Sequence, residues 1–444
     1  MKRWTRTLGR LTGVVTAGAV VAACGAGGRE GGEGEGSTEA SDVGITEDSV
    51  RIGGHFPLTG VAAPGYSEIP TGARAYFDYV NAQGGVNGRT IDYLVKDDGY
   101  NPTNTSQVTN ELVLQDEIFA MVGGLGTPTH GAVVDFLNDE AVPDLFVSSG
   151  SKQWGDDVEQ KPYSFGWQPD YEIEGKIIGQ YVAQNMPDAK VGLFLQDDDL
   201  GVESEKGMRQ FLDDQIVAVE RYTSGNTDVA PQIAGLQAKG ADLVLGFNTP
   251  AYTALSQLVS MKLNYQPDWY YSSIGSDPAL VGGLLSKFSE GAIEGGGALD
   301  GVLTSEYLPG VHDSDNPWTQ LWQKVWDEHG DKGELSNYRI YGMSHAYAFV
   351  QALMAAGENP TRDGLVEALE DFGTGFEGPQ LAPYRYTADS HLGISGVRLV
   401  EIQGNATEPL TGVLVTDIGD AAIEEDSSGQ ADDAPSESGL PTAG

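Results

Sequence analysis

Two short stretches of hydroxyl residues are the part of this 444-residue chain best placed to do chemistry. Thr127 follows Gly123-Gly124-Leu125-Gly126, and Ser148-Ser149-Gly150-Ser151 follows the apolar run Leu145-Phe146-Val147. A hydroxyl beside the free backbone N–H groups of a helix start holds an anion without any cationic side chain. The first pattern recurs further along, where Leu243-Val244-Leu245-Gly246-Phe247 runs into Asn248-Thr249-Pro250. Two such loops suggest two sheets, each presenting a loop to a shared cleft.

Other chemistries find less support. The chain has no Gly-x-Ser-x-Gly, no His-Glu-x-x-His and no Walker loop, and Gly123-Gly124-Leu125-Gly126 lacks the dinucleotide spacing. Cys24 is the only cysteine, which excludes an intrachain disulfide and leaves no thiol in the body of the chain. His55, His130, His312, His329, His345 and His391 show no metal-ligand spacing, although His55 and His130 adjoin the cleft loops. Asp197-Asp198-Asp199 reads as a solvated loop rather than a cation site. Neither a metal nor a cofactor is expected.

The elements that position these residues are readable from periodicity. Residues 119–122 form a short apolar run ending in glycine, as a buried parallel strand does. Thr127 reads as an N-cap with Pro128 at the first helical position. One helix then runs through Val133, Phe136 and Leu137 until Pro143 stops it. Upstream come a strand at 50–54, a helix at 69–82 capped by Gly84-Gly85, a strand at 91–95 and a helix at 107–114. The alternation restarts after 163–169, with strands at 191–195, 217–222, 243–247 and 269–272. A third section, from about residue 295, holds helices at 318–329, 338–356 and 361–369 and strands at 399–402 and 414–416. Continuous β-α-β alternation means an α/β fold with parallel sheets.

Composition narrows the partners. With 65 acidic and 25 basic residues the formal net charge is −40, so nucleic acid would be repelled. A hydrophobic content of 40% is enough for two domains with cores of their own. Lys2, Arg3, Arg6 and Arg10 precede a short apolar run, which makes 1–23 a signal peptide too short to span a bilayer. Val21-Ala22-Ala23-Cys24-Gly25 resembles the lipobox of bacterial lipoproteins, which implies a lipid on Cys24. Residues 24–42, rich in glycine and glutamate, read as a flexible tether. Residues 417–444 carry Glu424, Glu425, Asp426, Asp432, Asp433 and Glu437 without one basic residue, and read as a disordered tail.

A set of spaced features points to a family. Gly72-Ala73, Asn81-Ala82-Gln83-Gly84-Gly85-Val86-Asn87-Gly88-Arg89, Asp97-Asp98, Asn101-Pro102 and Asp197-Asp198-Asp199-Leu200-Gly201 all agree with it. Over roughly 50–416 the chain resembles the solute-binding proteins of ABC importers, in the branched-chain amino-acid-binding (type I periplasmic-binding) family. The resemblance implies two Rossmann-like doubly wound lobes joined by a three-crossover hinge near 163–169, 295–299 and 375–383. Lobe one is then 43–165 plus 297–376, and lobe two 166–296 plus 377–416. Carried over by position, Gly126 and Thr127 take a ligand carboxylate, Ser149, Gly150 and Ser151 add contacts, and Tyr66 closes one side. Lobe two contributes Leu200, Asn248, Thr249 and Ser273.

Three positions depart from the family pattern. Leu200 stands where an aromatic is common, Lys152 where a small polar residue is usual, and neither Ser273 nor Ile274 is the acid that takes an α-ammonium group. A zwitterion therefore lacks its usual counter-charge there, with Asp277 the nearest candidate. The resemblance implies a monomeric lipoprotein on the outer face of the cell membrane, reached by its N-terminal lipid only. It would bind a small-molecule solute (amino acid, organic acid or amide) and serve an ABC permease and its ATPase, with no catalysis and no nucleic acid. A ligand sensor feeding a membrane receptor kinase is the alternative, and an extracytoplasmic enzyme a more distant one.

Overall fold

The computed structural model describes residues 41–442 apart from 294 and 296. The expected signal peptide, Cys24 and the tether up to residue 40 lie outside the described residues.

Five parallel strands make the first sheet: β1 (Ser49–Phe56), β2 (Thr90–Asp97), β3 (Ala120–Val122), β4 (Asp144–Val147) and β5 (Ser164–Gly166), in the order β2-β1-β3-β4-β5. The second sheet begins the same way. Its strands β6 (Val191–Gln196), β7 (Ile216–Tyr222), β8 (Leu243–Phe247), β9 (Asp268–Tyr271) and β10 (Leu303–Glu306) lie parallel, in the order β7-β6-β8-β9-β10. Antiparallel β11 (Gly396–Gln403), β12 (Ala406–Val415) and β13 (Glu424–Glu425) extend it. Each sheet thus reverses its strand order beside its first strand, between β1 and β3 and between β6 and β8. Ligands of open α/β sheets bind at such switch points, outside the carboxyl ends of the strands.

The first lobe carries α1 (Ala63–Tyr66), α2 (Ile69–Ala82), α3 (Pro102–Leu114), α4 (Thr127–His130) and α5 (Val134–Asp139). The second carries α6 (Tyr171–Asn185), α7 (Asp199–Leu212), α8 (Ala230–Lys239), α9 (Pro250–Lys262) and α10 (Pro278–Phe288). The chain then returns to the first lobe as α11 (Pro317–His329), α12 (Asn337–Ala355) and α13 (Arg362–Phe372), with α11 and α12 against α2. The α2–α12 crossing is close: a Cβ on Gly342 would sit 2.0 Å from the Ile69 carbonyl oxygen. That approach brings the first turns of α12 to the seam between the lobes.

Four expectations need correction. The helix expected from Thr127 to Pro143 is two helices, α4 and α5, parted by a turn at 131–133, and Gly126 rather than Thr127 is the N-cap of α4. The chain leaves lobe two after β10, not at 295–299, because Leu303–Glu306 pairs with β11 through four residues. The lobe-one segment 297–376 therefore starts too early; Leu-Thr-Ser-Glu is too short and polar to read as a strand. The third crossing is later than 375–383, since His391 still bonds Gly155 and Gly166 of lobe one through its backbone. The tail from 417 to 442 is not loose. Lys176 Nζ donates to Thr416 Oγ1 and to the carbonyls of Asp417, Gly419 and Ala421, and β13 pairs with β12. Further on, the Trp318 indole and the Tyr76 and Tyr79 hydroxyls donate to the carbonyls of Asp433, Gly439 and Ser438. An acidic composition argued for disorder, but backbone carbonyls are acceptors in any sequence, and here buried donors use them.

Candidate functional site

A cavity of about 160 Å³ lies at the carboxyl ends of the strands, walled by residues of both lobes. It is on the scale of the ~150 Å³ cavities that accept one benzene ring.

One pole is built of hydroxyls, Thr127 and Ser149 from the first lobe and Tyr171 from α6 of the second. Thr127 Oγ1 lies 2.8 Å from Ser149 Oγ and 3.3 Å from the Tyr171 hydroxyl, which is 3.4 Å from Ser149 Oγ. Burial pushes the Tyr171 pKa up to about 12, so the phenol keeps its proton and can donate. Thr127 opens α4, in whose first turn the Thr127 and Thr129 N–H groups have no partner within the helix, Pro128 having none to offer. Gly126, at φ +104°, aims that turn at the cavity.

The second lobe supplies carboxylates. Glu174 accepts the Ser273 N–H at 2.8 Å, the Tyr270 hydroxyl at 3.0 Å and the Ser305 hydroxyl, and burial raises its pKa. Asp277 caps α10 through the Leu280 N–H at 2.7 Å and takes Asn337 Nδ2 of α12 at 2.7 Å; burial raises its pKa too. Glu306 receives Arg398 Nη2 at 2.8 Å. Asp277 and Glu306 line the cavity, with Glu174 just behind Ser273 and Ser305, and among the described residues no lysine or arginine does. Tyr66, Tyr100, Tyr307, Tyr338 and Tyr341 form the walls between the two poles. The Tyr66 hydroxyl donates across the seam to the Ile274 carbonyl at 3.2 Å, so the cleft is closed.

Of the positions singled out in the sequence, Tyr66, Gly126, Thr127, Leu200, Thr249 and Ser273 line the cavity. The other four stand behind it. Ser149 bonds Thr127, the Gly150 carbonyl accepts the Tyr171 N–H, Ser151 donates to Glu203, and Asn248 Nδ2 donates to the Phe194 carbonyl. Asp277, named from the sequence as the nearest counter-charge for an ammonium group, is in the lining, and Glu174 reaches Ser273 from α6. Sequence reasoning missed Tyr171, Glu174, Tyr338 and Tyr341. Tyr171 and Glu174 lie three apart in the first turns of α6, one face of a helix. Asp170, the N-cap before them, was the available signal.

His55 and His130 lie in a buried chain beneath this wall and not in the cavity. Asp98 Oδ2, His55, His130 and Asp144 Oδ2 follow one another at 2.9, 2.9 and 2.8 Å.

A cavity with poles of opposite character, shared by two doubly wound lobes, defines a clamp for one small solute. Residues 49–407 match the periplasmic binding protein family, and the chain belongs to it. The chain is 23% identical over 330 residues to "Leu/Ile/Val-binding protein homolog 1" of Brucella suis, covering 73% of this chain and 83% of that one. A branched-chain amino acid ABC transporter protein from Thermus thermophilus, solved with bound valine, superposes with a TM-score of 0.70 at 19% identity, over 85% of this chain and 97% of that one. A fatty acid ABC transporter substrate-binding protein from Thermomonospora curvata gives a TM-score of 0.72, also at 19% identity, over 85% and 95%. The fold is therefore the type I periplasmic-binding fold. The family is extracytoplasmic, binds small-molecule solutes and works with ABC transporters; it is a solute-binding family and not an enzyme family. Among the described residues no helix is long and apolar enough to cross a membrane.

Proposed function

We propose that this protein is an extracytoplasmic solute-binding lipoprotein. It captures a small polar metabolite (an amino acid, organic acid or amide) between its lobes and delivers it to an ABC permease and its ATPase. The observation that carries the reading is the polarity of the cavity, with the Thr127–Ser149–Tyr171 hydroxyls at one pole and the carboxylates of Asp277, Glu306 and Glu174 at the other. A ligand carboxylate accepts from the hydroxyls and the first α4 amides. An ammonium group, which would cost several kcal/mol if buried alone, meets the acidic pole. The volume suits a compact side chain, so a zwitterionic amino acid with a small apolar body is the favoured occupant. The relatives' names, Leu/Ile/Val-binding, and the valine in the Thermus protein support the same class.

The mechanism has no covalent step. The solute binds one lobe, the hinge closes, water leaves, and the closed face docks on the permease. Moving the equilibrium from 1:99 to 99:1 needs about 5.5 kcal/mol of preference for the closed state.

Native mass spectrometry of the purified protein should reveal a retained metabolite of this class, and calorimetry should then give its affinity. Thr127→Ala should weaken binding about 10- to 100-fold, the loss of one hydrogen bond to a charged group, with the melting temperature of the empty protein nearly unchanged. An unaltered affinity places the anion elsewhere.

Lipid anchoring has a separate test. Cys24→Ser should move the protein from the membrane fraction to the soluble one; a variant that stays with the membrane has another anchor.

A further inference from the structure

We propose that Glu203 is a lobe-to-lobe latch, a positioning residue that holds the cleft shut and ties closure to the uptake of one proton. The proposal rests on the clamp reading above and adds a residue that does not touch the solute. Glu203 belongs to α7 of lobe two, yet both its oxygens are engaged by lobe one. Oε1 accepts the Ser151 hydroxyl at 3.0 Å and Oε2 accepts the Lys152 N–H at 3.0 Å. One turn earlier on α7, Asp199 accepts Gln153 Nε2 at 3.1 Å. Ser151 in turn caps the short turn at Lys152–Trp154. The hydroxyl-rich loop after β4 therefore seats a carboxylate, but it is the protein's own.

That carboxylate is 7% exposed and, among the described residues, no cation bonds it. The charged groups around it come from three elements. Lys152, on the facing loop, points to Asp156 at 3.2 Å. At the start of α6, Asp170 is taken by Arg385 at 2.7 Å and Glu172 by Lys206 at 2.8 Å. Asp199 lies on its own helix. Each nearby cation is thus bonded to another acid, and although the Ser151 and Lys152 hydrogen bonds favour the charged form, Asp170 and Asp199 repel a charge on Glu203. Burial, the largest cause, pushes the Glu203 carboxyl from its ordinary 4.5 to about 8. Opening the cleft returns both sides of the latch to water, where the carboxyl regains its ordinary acidity.

The sign follows. Between those two values the closed state binds the proton and the open state does not, so rising pH favours opening. The closed-to-open ratio is highest below the open-state value, falls by at most about tenfold per pH unit through the interval, and levels off above the closed-state value.

The test is the lobe-to-lobe distance in full-length protein, read by double electron–electron resonance. Spin labels go on Leu114→Cys in α3 and Val217→Cys in β7, both exposed, with Cys24→Ser removing the native thiol. The protein is unfolded and refolded to strip any retained solute, and none is added. In the parent the short-distance population should fall as pH rises from about 5 to 8. Glu203→Gln, without the charge, can accept the Lys152 N–H at its amide oxygen and donate from its amide nitrogen to the Ser151 hydroxyl oxygen, and should stay closed at every pH. Glu203→Ala should be open at every pH. A Glu203→Gln protein that titrates like the parent, a parent with no pH response, or a Glu203→Ala protein as closed as the parent each overturns the latch. Because no solute takes part, a positive result stands even if mass spectrometry finds no metabolite, and that failure would fall on the functional reading alone.

Discussion

Asp144→Ala should destabilise the protein by about 3–5 kcal/mol, the cost of breaking a fully buried, hydrogen-bonded pair by removing one partner. Asp98, His55, His130 and Asp144 are all fully buried, and three hydrogen bonds join them. Three bonds need three protons, whereas two neutral imidazoles carry two. Burial lowers the His55 pKa, which suits a neutral ring giving its Nδ1 proton to Asp98 and accepting at Nε2. The third proton is shared by the His130–Asp144 end of the chain, where Nε2 and Oδ2 lie 2.8 Å apart. Ser164 steadies the Asp144 carboxyl with a hydroxyl at 2.9 Å. Removing Asp144 leaves His130 Nε2 buried without its partner at the end of α4, the helix whose first residue is Thr127. Urea unfolding measures the loss, and Ser164→Ala, which deletes one neutral bond, should cost only about 1 kcal/mol. The double variant Asp144→Ala/His130→Ala should cost less than the sum of the singles by more than about 1 kcal/mol. Strict additivity would mean that the two residues do not act as a chain.

That chain shows what the sequence could and could not convey. His55 and His130 adjoin the cleft loops, and this much was legible from the strands that precede them. Their contact with each other was not, because it depends on β1 lying beside β3, a pairing between segments more than sixty residues apart. The α/β alternation was legible because parallel strands buried on both faces read as apolar runs: β3, β4, β6 and β8 are buried at every position. Thr249-Pro250 was legible as a helix start because proline at the first position lacks the N–H the helix would leave unpaired.

The tyrosines of α12 were hidden for the opposite reason. Positions 340–353 are all buried, so no polar face marks which side meets the cavity. Ser151 was read as a ligand contact on its residue type and its place after β4. Its actual partner, Glu203, sits on the other lobe 52 positions away, and no local pattern links the two. Site walls built from one sheet's loop tips can be read from the chain; those made when two lobes close on each other require the closed geometry.

Gly126→Ala should cost about 100-fold or more in solute affinity, the largest loss from any single methyl in the site. Gly126 has φ +104° and ψ 141°, a conformation that residues with a Cβ essentially do not reach. The added carbon would lie 2.3 Å from Thr129 Oγ1 and 2.6 Å from the Tyr100 ring. Thr129 cannot yield cheaply, because its hydroxyl is bonded to the Leu125 carbonyl at 2.5 Å within the same turn. The turn must therefore rebuild, taking the Thr127 hydroxyl and the first α4 amides away from the solute's negative end. Two or three such bonds to a charged group, at about 1.5 kcal/mol or more each, give the expected factor. The stability loss, about 1–3 kcal/mol for backbone strain, should be modest beside it. Gly88→Ala separates the two effects: Gly88 also has positive φ, at +80°, but a Cβ there meets nothing within 4 Å and the turn is remote from the cavity. That variant should lose comparable stability and keep its affinity. If Gly126→Ala binds the retained solute within about fivefold of the parent, the α4 amides do not hold the solute, and the anion pole must be sought among the tyrosine hydroxyls instead.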